Sequence, residues 1–207
     1  MPRLLGLLVL STVAVCLWVS GAWADTRYLI TQSSPTDCGP AALATLLTFY
    51  LDVPAQEEEM ARLAGANQAG TTLFGLETAT HAKGCGAEGF RMSLDTLRRQ
   101  LAAYPAPLLV RLLSPEPHFA LVLAIENDVV FLADPAKGNT LMPMKRFLQR
   151  WLIPSGKEGK ESREGYVLIA ARADGRTNKA RRDEAIADFR RQLQSLENQR
   201  PAPAMRR

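Results

Sequence analysis

The spacing of apolar positions along the chain changes character once. Over residues 38–51, CGPAALATLLTFYL, Leu43, Leu46, Leu47 and Tyr50 recur at helical spacing, with Thr36 or Asp37 placed to cap the start and Pro40 suited to a first turn. Residues 54–65, PAQEEEMARLAG, predict a second helix stopped by Gly65, and residues 72–84, TLFGLETATHAKG, a third stopped by Gly84. A fourth starts at Ser93 in SLDTLRRQLAAY and ends before Pro105. Beyond that point the runs become short and rich in β-branched and aromatic residues: APLLVRLL, HFALVLAI, DVVFLADP and GYVLIAAR, with ENDV at 126–129 as the turn joining the middle pair. PMKRFLQRWL, between the third and fourth runs, reads as a short helix with Phe147, Leu148 and Trp151 facing inward. Helices followed by a largely antiparallel sheet define an α+β fold.

The two ends depart from this pattern. Residues 1–24 combine Arg3, the apolar run LLGLLVLSTVAVCLWV and the small-x-small site Ala22, Trp23, Ala24, which together read as a secretory signal peptide. The competing reading, an uncleaved anchor, asks for a span of about 20 apolar residues, and this run is short for that. Cys16 follows the bulky Val15, so it does not read as a lipid attachment site. The mature chain from Asp25 is long enough for one domain with a full core, over residues 25–173. PSGKEGKESREG reads as a solvated loop. Residues 174–207 are charged and Arg-rich, with Ile186, Phe189, Leu193 and Leu196 in a narrow helical stripe and a PAPAMRR tail, so they read as an appended amphipathic helix. A stripe that narrow resembles a pairing seam; the alternatives are packing on its own domain, self-association, or docking to a secretion component.

Composition narrows the function. The net charge of +4 is concentrated near the C-terminus and is too mild to argue for nucleic acid. No second apolar run of membrane-spanning length follows Ala24, so no stable membrane insertion is expected after signal cleavage. The chain lacks a phosphate-cradling GxxxxGK[ST] loop. No metal or other cofactor is expected.

Beyond the signal segment, the cysteines are Cys38 and Cys85. In an oxidising compartment the two could form one disulfide. Cys38 also stands where a polar stretch becomes a helix, and a helix start favours a thiolate because unpaired N–H groups and the helix dipole stabilise negative charge there. A nucleophile needs a base, and the chain has two histidines. His81 lies within the third predicted helix. His118 opens the strand HFALVLAI, and Asp134 ends the next strand, roughly opposite it across the 126–129 turn, where it could orient an imidazole or simply form a turn before Pro135. Gln32, six residues before Cys38, is a candidate donor to an oxyanion, against the default of a surface glutamine.

QSSPTDCGPAALATLL, then HFALV, then ADPAKG followed by MKRFLQRW, resembles peptidase family C39, the bacteriocin-leader peptidases of the papain-like superfamily. The resemblance runs from about Tyr28 to Ala171. It implies a papain-like cysteine peptidase fold with Cys38 as nucleophile, His118 as general base, Asp134 as its orienting residue and Gln32 as oxyanion donor. It leaves Cys85 and His81 without a catalytic role and gives no reason to pair Cys85 with Cys38. Most members of that family sit on ATP-driven exporters and cut after a double glycine, whereas this chain has an export signal. It is more similar to stand-alone exported members associated with secretion of functional amyloid or fibres.

These readings lead to a periplasmic cysteine peptidase acting on an exported protein or leader, with a Gly-rich or small-residue cleavage site. The rival is a binding or chaperone module that keeps the fold and engages a secretion substrate or an outer-membrane channel without cutting.

Overall fold

The computed structural model describes residues 25–154 and 163–199. Residues 1–24, read above as a signal peptide, most of PSGKEGKESREG and the PAPAMRR tail lie outside the described residues. The order of elements is α1 (Cys38–Thr45), running on as a π-helical turn (Leu46–Tyr50), α2 (Glu57–Leu63), α3 (Leu73–Ala82), β1 (Cys85–Ser93), α4 (Leu94–Ala103), β2 (Leu108–Leu112), β3 (His118–Glu126), β4 (Val129–Asp134), β5 (Gly138–Pro143), α5 (Met144–Trp151), β6 (Glu164–Arg172) and α6 (Lys179–Asn198). The strands form one antiparallel sheet in the order β1-β6-β2-β3-β4-β5.

The four leading helices stand where the apolar spacing puts them. Ser93 caps α4 by accepting from Thr96 N, Thr72 caps α3 by accepting from Gly75 N, and Gly65 and Gly84 leave α2 and α3 at φ 64° and 73°. Asn127 and Asp128, both at positive φ, make the β3–β4 turn with Glu126 opposite Val129.

Two strands escape the sequence pattern, and they are the two edges of the sheet. β1, CGAEGFRMS, holds two glycines, and most of its positions are exposed or half-exposed. It is a strand because it pairs with β6 from Cys85↔Arg172 to Ser93↔Glu164. β5, GNTLMP, opens on glycine and closes on proline, residues that disfavour a strand except at an edge.

The sheet separates two apolar layers. On one face lie Leu43, Leu46, Leu47 and Tyr50 of the first helix with Leu76, Leu109, Leu121 and Phe131. On the other lie Leu97 and Leu101 of α4 and Phe147 and Trp151 of α5, with Val110, Val122 and Leu132. Gly165 lies flat against Trp151, where a Cβ would come 2.2 Å from the indole.

The C-terminal helix does not offer a free seam. Ile186 and Phe189 are buried, Leu193 packs against the first layer, and Phe189 stacks on Phe131 with ring centres 5.1 Å apart; Leu196, 49% exposed, is left outside. Each buried apolar side chain of that size contributes about 1.5–3 kcal/mol, so docking on its own domain satisfies the stripe without a partner. Arg182 strengthens the attachment. Its guanidinium is buried and donates to Leu123 O, Tyr104 O and Leu101 O, tying α6 to β3 and to the end of α4.

Candidate active site

Cys38 is the first residue of α1 and is buried. Asp37 holds the cap position but makes no side-chain cap bond; its carboxylate accepts from Ser34 Oγ at 2.6 Å. The opening N–H groups of α1 are therefore not consumed by a cap, which preserves the donor-rich end beside the thiol. Gly39 follows because nothing larger fits: a Cβ there would lie 2.3 Å from Thr71 Cγ2 and 3.1 Å from the Phe119 ring. That crowding seats α1 directly on the start of β3.

His118 opens β3 and Asp134 closes β4, and the hairpin brings them together. His118 Nε2 and Asp134 Oδ1 are 2.7 Å apart, with the carboxylate fully buried. Asp134 Oδ1 also accepts from Ala136 N at 2.9 Å, which fixes the carboxylate independently of the histidine. With Nε2 held by Asp134, Nδ1 is the ring nitrogen left for the Cys38 thiol, with which the imidazole interacts.

The electrostatics follow from those contacts. Burial alone pushes the Cys38 thiol up, but the hydrogen bond from His118, N–H groups of Phe119 and Gly39 and the imidazolium charge outweigh it and bring the thiol below its ordinary value. Burial disfavours charge on His118 as well, yet the bonds to Asp134 and Cys38 raise it to about 9. Asp134 is held below the usual carboxylate range, since the His118 bond overcomes its burial. All three shifts favour the proton on the imidazole, between the Cys38 sulfur and the Asp134 carboxylate.

Gln32 reaches the same end of the molecule by its backbone, whose N–H donates to Pro135 O at 3.0 Å. Its side-chain Nε2 donates to Ser34 O at 2.7 Å, leaving a second hydrogen available, while its Oε1 is buried without a partner among the described residues. Cys38, His118, Asp134 and Gln32 therefore converge at one end of the sheet. His81 and Cys85 do not join them. His81 Nδ1 lies 3.2 Å from Cys85 O at the C-terminal end of α3, whereas Gly39 packs on Thr71 and Leu76, toward that helix's start. Both cysteines are free, so the disulfide alternative is not what the fold holds. Sequence reasoning missed Thr71 and Phe119 as the residues that close on Gly39 next to the nucleophile, because both read locally as ordinary loop and strand residues. No group of three or more His, Cys, Asp or Glu placed to hold a metal occurs among the described residues.

Leading helices, a following antiparallel sheet and a thiol at the junction between them make this a domain of the papain-like cysteine-peptidase class. The peptidase C39 family model matches residues 26–154, and the chain belongs to that family. It is 43% identical over 110 residues to an uncharacterised protein of Methanothermobacter marburgensis, covering 53% of this chain and 72% of that one. It is 29% identical over 130 residues to the probable functional amyloid protease FapD of Pseudomonas fluorescens, covering 59% of this chain and 56% of FapD. Among solved structures, the peptidase domain of Streptococcus ComA, a bifunctional ABC transporter involved in quorum sensing, shares the fold with a TM-score of 0.59 at 22% identity, over 70% of this chain and 97% of that domain. β6 and α6 lie beyond the family match.

Proposed function

We propose that this protein is an exported cysteine peptidase in which Cys38 attacks the scissile carbonyl, with the protonated His118 as its partner. The observation that carries this reading is the single line of contacts from Asp134 through His118 to a thiol at a helix start. The thiolate adds to the carbonyl carbon and the carbonyl electron pair moves to oxygen. The Cys38 backbone N–H at the opening of α1 and the free hydrogen of Gln32 Nε2 receive that oxyanion. His118 passes its proton to the departing amine, leaving a thioester on Cys38. A water then attacks the thioester while His118 takes up its proton, and the adduct expels Cys38 as thiolate with release of the acid product, which restores the starting pair. Asp134 holds the ring in the tautomer and orientation both steps require.

The substrate is an exported protein or leader cut at a small-residue site. The resemblance to the C39 family, whose members cut after small residues, supports that choice of site. The export signal over residues 1–24 supports a periplasmic location, and the likeness to FapD supports a role in functional amyloid or fibre secretion.

Alkylation of Cys38 by iodoacetamide across pH, resolved from Cys85 by mass spectrometry, tests the site. Reactivity should persist below the ordinary thiol range in the wild type and retreat to it in His118→Ala; identical profiles would defeat the reading. Cleavage of a denatured-proteome peptide library, absent with Cys38→Ala, tests turnover. N-terminal sequencing of protein from the periplasmic fraction should begin at Asp25.

A further inference from the structure

Among the described residues, Gln32 Oε1, Asp134 Oδ2, Thr71 Oγ1 and Arg111 Nε are buried polar side-chain atoms without a hydrogen-bond partner. The first two belong to the groups given roles above. Thr71 and Arg111 do not; Thr71 borders the nucleophile's helix directly, and Arg111 is linked to it through Phe119. Thr71 lies against Gly39. Arg111, on β2, stands opposite Phe119 of β3, and its guanidinium carbon is 5.8 Å from the centre of the Phe119 ring, which a Cβ on Gly39 would approach to 3.1 Å.

Among the described residues Arg111, like Arg62, Arg99, Arg146, Arg150 and Arg182, has no carboxylate within ion-pair distance, and like Arg150 it also holds a buried guanidinium nitrogen without a hydrogen-bond partner. A half-buried guanidinium with a buried, unpaired Nε forgoes hydration without recovering it from a counter-charge. The register places it in a row across the sheet. Phe119 on β3, Arg111 on β2, Tyr166 on β6 and Arg91 on β1 are direct cross-strand neighbours and share a face. Arg91 is already engaged by Glu164.

We propose that Arg111 is a specificity-determining residue, which receives the carboxylate of an Asp or Glu side chain in the substrate peptide. This rests on the peptidase reading of Cys38. Strands lie about 4.8 Å apart and an extended peptide advances about 3.3 Å per residue, so a guanidinium one strand over from β3 meets a substrate side chain roughly two or three residues from the scissile bond. A planar fork that binds carboxylate in two parallel hydrogen bonds suits that task better than an ammonium would.

The test uses acetyl-tetrapeptide chloromethyl ketones with glycine next to the reactive carbon and either Glu or Gln at the second or third residue from it. At one of those positions the Glu reagent should alkylate wild-type Cys38 about tenfold faster than the Gln reagent. The ratio should fall to about one in Arg111→Gln and be partly kept in Arg111→Lys, while iodoacetamide rate and melting temperature stay the same in all three proteins. Equal Glu and Gln rates in the wild type at both positions, or a preference that survives in Arg111→Gln, would overturn the assignment. If iodoacetamide finds an ordinary thiol at Cys38, the peptidase reading fails instead. The Glu-to-Gln ratio, taken at a pH where any thiol is ionised, still decides Arg111.

Discussion

The backbone N–H of Gln32 donates to the carbonyl of Pro135, the residue that follows Asp134, at 3.0 Å. The loop before the nucleophile is thereby fastened to the strand end that orients the base, through an atom no side-chain substitution removes. Gln32→Ala should therefore keep the fold and lose only the amide. Loss of one oxyanion donor costs about 10²–10³ in kcat, with KM nearly unchanged. A neutral Gln32→Ala, beside inactive Cys38 and His118 variants, would leave the backbone N–H as the sole donor.

Cys38→Ala and His118→Ala should each remove peptidase activity almost entirely, and the double variant should be no worse than either, because the two act as one unit. Asp134→Asn should cost less, since Asn still accepts from the ring. In that variant His118 loses its largest charge-holding contact, and its raised pKa should move back toward the ordinary 6.5. NMR titration of the imidazole checks this directly.

The pH dependence follows from the same contacts. The acid limb of activity should lie below the ordinary thiol range, where Cys38 takes up a proton, and the alkaline limb at about pH 9, where His118 loses the proton it must give to the leaving amine. For stability the signs are separate. His118 binds its proton more tightly folded than unfolded, so that contribution is complete below pH 6.5 and is lost as pH rises through about 9. Asp134 is depressed, so its contribution is present above the ordinary carboxylate value and is lost as pH falls through its lowered one. Denaturant midpoints measured across pH, for wild type and Asp134→Asn, read both.

Gly39→Ala should damage the protein more than an added methyl usually does. The new Cβ meets Thr71 Cγ2 and the Phe119 ring, and α1 cannot retreat without parting Cys38 from His118. A cost of about 1–3 kcal/mol is expected from overpacking. Slower alkylation of Cys38 should accompany it; unchanged stability and reactivity would show that the wall yields.

Truncation at Asp174 should lower the melting temperature by more than about 5 °C, because it exposes the surface under Ile186 and Phe189 and leaves the carbonyls of Leu101, Tyr104 and Leu123 without the Arg182 donors. Phe189→Ala alone should cost about 3–5 kcal/mol. Calorimetry and light scattering together check this, and a truncated protein of unchanged stability that lost self-association would restore the seam to a partner role.

What the sequence determined by itself is local. Helix starts and stops depend on caps, glycines and apolar spacing within a few residues, so the four leading helices, the 126–129 turn and the boundary positions of Cys38, His118 and Asp134 were legible. Gln32 stood as a weak candidate by its spacing from Cys38, and the family resemblance strengthened it. Only the tertiary structure decided the rest, and each instance depends on atoms far apart in the chain. β1 and β5 have poor strand formers and exist because β6 and β4 offer them backbone partners. The stripe on α6 reads as a seam until β3 and β4 supply the surface that buries it. Which nitrogen of His118 faces the thiol depends on Asp134 taking the other, and Arg111 shows as an unpaired cation only when the strands beside it are in register.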